Sequence, residues 1–484
     1  MRYTNGVSND QPSDGYEASA DPAPLTMRLI FQTWWPLAAS WLLMGLEGPA
    51  ISAIVARLAN PEINLAAWGG IVYPLSLVIE APIIMLLSAS TALSTDYDAY
   101  RKVYRFMMAA GAALTLLHLL IAFTPLYDLM VMHIIGAPAE IVEPGRIGLM
   151  VMLPWTWSIA YRRSQQGVLI RFGHSQAVGV GTVVRLAADG VVLILGYLIG
   201  RLPGIVVAAG AASAGVLAEA VYAGLRVRPV VRDEVRRAAP SRQPLTLRAF
   251  LAFYIPLALT PLLNLLQQPI GSMALSRMPL SVPSLAVWSV ITGLIFLPRS
   301  LGLAFNEVVV ALLDRPGAVR RLRRFAGLLF AGTSGFLLLI AATPLSPFWF
   351  GRLSALSPEL TALAVTGLWL ALPAPGLTTL QSWYQGSILY GRRTRGITES
   401  VALALLTSSV VLLLGVVLNR IVGLYVGLFA FFASGLAQTG WLWFRSRPIM
   451  RRLDQRGESP FDPARGGLQE LGDERAGKGK EDPR

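Results

Sequence analysis

The residues of this chain with chemistry to offer are few, and they interrupt apolar runs. Glu47, Glu80, Arg185, Asp189, Glu219, Arg299 and Glu307 each fall within a stretch of otherwise mostly hydrocarbon side chains. In a bilayer such a residue costs about 2.5 to 3.5 kcal/mol to insert, so it faces a partner or a water-filled cavity. The chemistry implied is binding and exchange of ions, not bond making. Arg185 and Asp189 stand four apart on one helix face and pair directly or share a site; a bridge from Arg185 to Glu219 is the alternative. Glu80, which precedes Ala81-Pro82, and Glu47, two residues before Pro49, are candidates to carry a proton or sodium ion. The guanidinium groups of Arg185 and Arg299 suit bidentate bonds to a carboxylate or phosphate. Asn306-Glu307 reads as the solvated end of a span.

Enzyme chemistry finds no support. The absence of cysteine excludes disulfides, thiolate metal sites and cysteine nucleophiles. His118, His133 and His174 lie far apart without metal-ligand spacing, and His118, inside an apolar run, reads as a packed core residue. No nucleophile elbow and no phosphate-cradling glycine loop occurs. No cofactor is expected beyond a coupling proton or sodium ion.

The elements that must position these residues are membrane helices. Of 484 residues 54% are hydrophobic and only 14% charged, with a mean hydropathy of +0.55, whereas soluble domains are about a quarter charged. A bilayer core needs roughly 20 apolar residues per helix. Twelve stretches qualify: 31–54, 64–91, 106–124, 147–161, 178–199 and 203–225, then 249–273, 284–312, 325–343, 361–382, 400–418 and 421–444. The five loops after even-numbered spans carry 21 Lys and Arg; the six alternate loops carry one each, Arg57, Arg146, Arg201, Arg277, Arg352 and Arg420. Basic loops stay cytoplasmic, which places both termini inside a cell membrane. The net charge of +13 therefore marks topology and contact with anionic lipid heads rather than nucleic acid. Residues 1–24 and 448–484, poor in apolar side chains, read as disordered tails.

The chain also repeats itself. From Leu25 and from Leu245 the sequence aligns without a gap at an offset of 220: Pro36 meets Pro256, Pro49 meets Pro269, Arg57 meets Arg277 and Trp68 meets Trp288. At an offset of 219, Thr124-Pro125-Leu126 meets Thr343-Pro344-Leu345, Gln166-Gly167 meets Gln385-Gly386 and Arg201 meets Arg420. Two six-span bundles, 25–228 and 245–447, joined by a cytoplasmic linker at 229–244, are the consequence. An even span count puts both bundles in the membrane the same way round, the arrangement of parallel-repeat transporters, with a substrate site near the midplane. Pro49 and Pro269 mark matched bending points. Just before them stand Glu47 in one copy and Gln267-Gln268 in the other, polar spots that face a cavity or satisfy carbonyls freed by the prolines. Ser300, beside Arg299, is the counterpart of Glu80, so one half presents an acid where the other presents a base.

"WWPLA", then Pro49 thirteen residues after Pro36 and Arg57 eight further on, resembles the start of the progressive ankylosis family of membrane transporters. That family lies in the superfamily of the multidrug and toxic compound extrusion (MATE) transporters and the polysaccharide lipid flippases. The resemblance carries over Trp34, Trp35, Pro36, Pro49 and Arg57; Glu47 departs from the pattern, so no role is borrowed for it. It implies an all-α MATE-like fold, a V of two six-helix bundles around a central cavity, working by alternating access. The function expected is export of a small solute, an organic or phosphorylated anion, driven by a proton or sodium gradient and carried out by a monomer. The alternatives are a multidrug cation antiporter or a lipid-linked glycan flippase, and, outside that class, a passive channel.

Overall fold

The computed structural model describes residues 25–240, 245–313, 315–391 and 395–458. The tail expected at 1–24 and most of that expected at 448–484 lie outside the described residues. Among the described residues the secondary structure is helical throughout. The first half of the chain comprises α1 (Met27–Val55), α2 (Pro61–Leu93), α3 (Tyr97–Phe123), the short α4 (Leu126–Ile135), α5 (Ala139–Val151), α6 (Leu153–Arg171), α7 (Gln176–Ile199) and α8 (Gly204–Val235). The second half comprises α9 (Leu247–Leu275), α10 (Ser281–Leu312), α11 (Ala318–Ala342), the short α12 (345–353), α13 (Pro358–Tyr390), α14 (Arg395–Leu418) and α15 (Gly423–Glu458). Nine of these helices are long and apolar enough to cross a membrane.

Several boundaries differ from the sequence expectation, and three of them change how charged or linking residues are read. The fourth span does not end at residue 161: α6 continues to Arg171 through Tyr-Arg-Arg-Ser-Gln-Gln, with Arg162 and Gln166 buried. Those arginines are therefore interior groups and not loop markers. α8 carries on to Val235, so part of the expected linker is helical, and α15 runs through Pro448 to Glu458, into the expected tail.

Matched sequence makes matched local structure. Thr26 and Thr246 cap α1 and α9, each hydroxyl accepting from the backbone N–H three residues on, at 3.2 Å in both. Such a cap satisfies one of the four orphan donors of a helix start. Asn60 and Leu280 both take left-handed φ, 51° and 55°, where the chain turns into α2 and α10. The paired prolines do not act alike, however. α1 breaks at Leu46, three residues before Pro49, whereas α9 passes Pro269 unbroken.

The halves are joined by reciprocal crossings. Arg57 donates to the carbonyls of Leu353 and Arg352, both at 2.9 Å, at the end of α12. Arg277 donates to those of Ile134, at 2.6 Å, and His133, at 3.5 Å, at the end of α4. Donors matched at offset 220 thus grip carbonyls matched at offset 219, each in the opposite half. The last carbonyls of a helix lack intrahelical partners and carry its negative dipole end, which is why a guanidinium docks there. Toward the other face of the molecule the Trp34 indole donates to the Leu301 carbonyl at 3.0 Å and the Tyr254 hydroxyl to the Pro82 carbonyl. The first part of α1 thereby rests on α10 and α11, and the first part of α9 on α2 and α3, with Trp34 against Phe325 and Phe250 against Phe106.

Two repeat-matched glycines allow close helix approach. A Cβ on Gly167 would lie 2.4 Å from the Leu87 carbonyl oxygen, and one on its counterpart Gly386 would lie 2.7 Å from Val309 Cβ. Backbone cannot yield as a flexible side chain can. Gly167→Ala is expected to destabilise the fold by about 1 to 3 kcal/mol, seen as a lower midpoint in thermal unfolding followed by size-exclusion fluorescence. An unchanged midpoint would show that α2 and α6 separate freely.

Candidate substrate and coupling-ion site

In the first half the intramembrane charges converge from five helices. The break at Leu46 makes Glu47 the first residue of a new helical segment, where a carboxylate suits the positive end of the helix dipole. Its carboxylate pairs with the Arg185 guanidinium of α7. Arg185 also stands over the Trp155 ring of α6 at 5.8 Å. Trp155 in turn donates its indole N–H to Glu80 of α2 at 2.6 Å. On the same face of α6, two and three turns on from Trp155, Arg162 pairs with Glu219 of α8, and Gln166 Nε2 donates to the same carboxylate at 2.8 Å. Side-chain exposures of 5% for Arg162 and 1% for Glu219 put that pair out of water.

Asp189 is the exception. It is buried on α7 at 3.9 Å from Arg185 Nε, too long for a hydrogen bond, and both its carboxyl oxygens lack a hydrogen-bond partner. Space for it exists because α8 has glycine opposite: a Cβ on Gly215 would fall 1.6 Å from Asp189 Oδ1. An anion so placed pays the full cost of desolvation. A bound proton or a small cation removes that cost.

The sequence-predicted residues thus separate into groups. Glu47, Glu80, Arg185 and Asp189 come together, and the Arg185 partner is Glu47 with Asp189 behind it, not Glu219. Arg299 lies apart on α10, donating from Nε to the Thr378 hydroxyl of α13 at 3.0 Å, with its guanidinium 4.8 Å from the Phe431 ring centre of α15. Gln267 reaches Ser434 of α15 at 3.2 Å, and Gln268 contributes its carbonyl to the Ser272 hydroxyl at 3.3 Å. Neither Glu47 nor Gln267 spends its side chain on a carbonyl freed by proline. Glu307 is exposed. His118 is fully buried, with Thr156 Oγ1 and the Leu149 carbonyl at 3.0 Å from its two ring nitrogens, a satisfied packing residue.

Sequence reasoning missed Trp155, Arg162, Arg163 and Gln166. Arg163 lies deep in the helices within electrostatic reach of Glu80 and Glu219. The signal was present in the repeat match of Gln166-Gly167, which argued for helix beyond residue 161. With these added, the interior cluster of the first half holds four carboxylates, Glu47, Glu80, Asp189 and Glu219, against three guanidiniums, Arg162, Arg163 and Arg185. A single bound cation makes the set neutral.

No protein-family model and no curated protein matches this chain. Solved structures do. The fold is similar to the inward-facing conformation of a multidrug resistance MATE family transporter of the MOP superfamily, with a TM-score of 0.68, 14% identity, and coverage of 88% of this chain and 99% of that one. The lipid II flippase MurJ in an inward closed conformation follows at 0.61, with 13% identity and 87% and 90% coverage. An outward-facing MATE structure of the MOP superfamily scores 0.56, with 15% identity and 88% and 96% coverage. The chain has the MATE fold.

Breaking a buried ion pair from one side leaves an uncompensated charge and costs about 3 to 5 kcal/mol, whereas removing both partners costs much less. Glu47→Ala and Arg185→Met are therefore each expected to lower the unfolding midpoint, and the double variant to lose less than the sum of the two. Strictly additive losses would rule out the pairing.

Proposed function

We propose that this protein is an alternating-access secondary transporter that exports a small solute, an organic or phosphorylated anion, against a proton or sodium gradient. The observation that carries the reading is the reciprocal pair of arginine clamps closing one face of the molecule over a buried set of charges that falls one cation short of neutrality. In this reading the two bundles are 25–228 and 245–447. Both chain ends lie in the cytoplasm, as the basic loops require, and the clamps lie outside. The structure then corresponds to the state closed to the exterior. Greater similarity to an inward-facing than to an outward-facing MATE structure supports this assignment.

Transport requires the clamps to let go. Each clamp is made of hydrogen bonds from a charged donor to neutral carbonyls, which contribute about 1.5 to 3 kcal/mol apiece at best. That is strong enough to hold one state and weak enough for ligand binding to shift the balance. The coupling ion belongs at Asp189, next to the Glu47–Arg185 pair, with Glu80 as the second acid linked through Trp155. The proline-marked α1, broken where Glu47 begins, is the element through which ion occupancy is felt by the other half, since its first part rests there. The resemblance to the progressive ankylosis family and the Arg299 guanidinium of the second half, to which no described carboxylate is bonded, both favour an anionic solute; the chain is read as acting as a monomer.

Two experiments test this. The chain has no cysteine, so spin labels are placed cleanly at Glu140→Cys and Glu359→Cys, one in each half at the starts of α5 and α13. Arg57→Ala with Arg277→Ala is expected to shift the label distances toward longer values in double electron–electron resonance; unchanged distances would overturn the clamp. In vesicles with imposed proton or sodium gradients, Glu47→Gln and Glu80→Gln are each expected to lower gradient-driven flux at least tenfold. Flux indifferent to the gradient in the wild type would favour a channel.

A further inference from the structure

The second half holds a deeply placed charge that no carboxylate among the described residues balances. Arg299 sits deep between α10, α13 and α15, retains part of its surface open to solvent, and is held from Nε alone, by Thr378. The described carboxylates of this half are occupied or distant. Glu399 serves Arg395, Arg445 and Trp441, while Glu307 and Glu359 are exposed near helix ends. No carboxylate among the described residues bonds Arg299. The Phe431 face steers the guanidinium without neutralising it.

Its surroundings are polar and uncharged. Thr378 and Gln381 are three apart on α13, and Phe431, Ser434 and Gly435 are three and four apart on α15, so each set shares a helix face. Gln381 donates to the Gly435 carbonyl and to Thr439 Oγ1, both at 3.2 Å, and Gln267 closes the adjoining turn through Ser434. Amides and hydroxyls held by one another in this way form a rigid frame beside one fixed positive charge. The first half, by contrast, neutralises its own guanidiniums with its own acids.

We infer that Arg299, framed by Thr378, Gln267 and Gln381, is the subsite that takes the anionic group of the transported solute, a phosphate or carboxylate, while the first half takes the coupling cation. This rests on the transport reading above and adds a division of labour to it. A guanidinium tethered only at Nε presents its two Nη groups to one ligand, the fork that matches two oxygens of phosphate or carboxylate.

The test is equilibrium binding, which needs no flux. The protein in nanodiscs of neutral phosphatidylcholine is titrated with radiolabelled pyrophosphate, citrate and tetraphenylphosphonium. Saturable binding of pyrophosphate or citrate, but not of the cation, is expected. Arg299→Gln should weaken it at least about tenfold, Arg299→Lys should retain part of the affinity, and Thr378→Val should weaken it about threefold, since one charge-assisted hydrogen bond corresponds to roughly a tenfold change or more. Competition by added phosphatidylglycerol would assign the same subsite to a lipid headgroup. Unaltered anion affinity in Arg299→Gln, or a wild type that binds only the cation, would overturn the proposal. Should Arg299→Gln not fold, Arg299→Lys and Thr378→Val decide it by the same affinities. Binding that survives with no flux in proteoliposomes would instead remove the transport reading and leave the subsite standing.

Discussion

Charge held away from water must find compensation close at hand, and that constraint orders the interior of this molecule. In the first half it is met by packing acids and bases from α1, α2, α6, α7 and α8 against one another, so that Glu219 receives both Arg162 and Gln166 while Arg185 receives Glu47. Such pairs add little net stability over apolar packing of the same shape, yet losing one partner costs several kcal/mol. They are therefore expensive to keep half-made, which suits groups whose occupancy is meant to govern conformation. Asp189, packed against Gly215 and bonded to nothing, is where the compensation stops short.

The second half follows the same helical plan with different contents. Ser300 stands at the position of Glu80 and Gln267 at that of Glu47, and the one deeply placed guanidinium, Arg299, has an aromatic ring and a hydroxyl for company. A cation–π contact is worth about 0.5 to 2 kcal/mol, less than the several kcal/mol of desolvation that an ion pays on leaving water. Two copies of one architecture have thus been given opposite electrostatic characters. The backbone scaffold tolerates this because the threonine caps and the clamp arginines are residues that the copies share, and the left-handed turns fall at matched positions.

Much of this was legible in the sequence because repetition is robust to environment. Matched prolines, arginines and Gln-Gly pairs identified two halves, and the reciprocal grip of Arg57 and Arg277 is the three-dimensional form of that match. The intramembrane charges Glu47, Glu80, Arg185 and Asp189 were found because ionisable residues stand out against hydrocarbon. Their partners were not, because partner choice depends on helix rotation and approach, which one-dimensional spacing cannot supply: Arg185 turns to Glu47, 138 residues away, in preference to Asp189 four away. Arg162 and Arg163 were read as loop charges for the same reason, since a run of polar residues inside a helix buried by its neighbours looks like the end of a span.

The break at Leu46 ties these threads together. Pro49 has no N–H, so the carbonyl of Gly45 loses its helical donor, and α1 divides at Leu46, although the same loss at Pro36 and Pro269 leaves the helix continuous. The division does two things at once. It frees the N-terminus at which Glu47 is stabilised beside Arg185, and it lets the first part of α1 rest on α10 and α11 while the second part, Glu47–Val55, packs against α7 and α8 and, at Pro49 and Gly293, against α10. Pro269 lies in a helix that does not break, and two residues before it, at the position of Glu47, that copy has the neutral Gln267. In the proposed reading, a carboxylate stands where a helix end faces a guanidinium, Glu47 beside Arg185, and an amide stands where the helix is continuous. The difference between Glu47 and Gln267 is then the difference between the half proposed to take the coupling cation and the half proposed to take the solute.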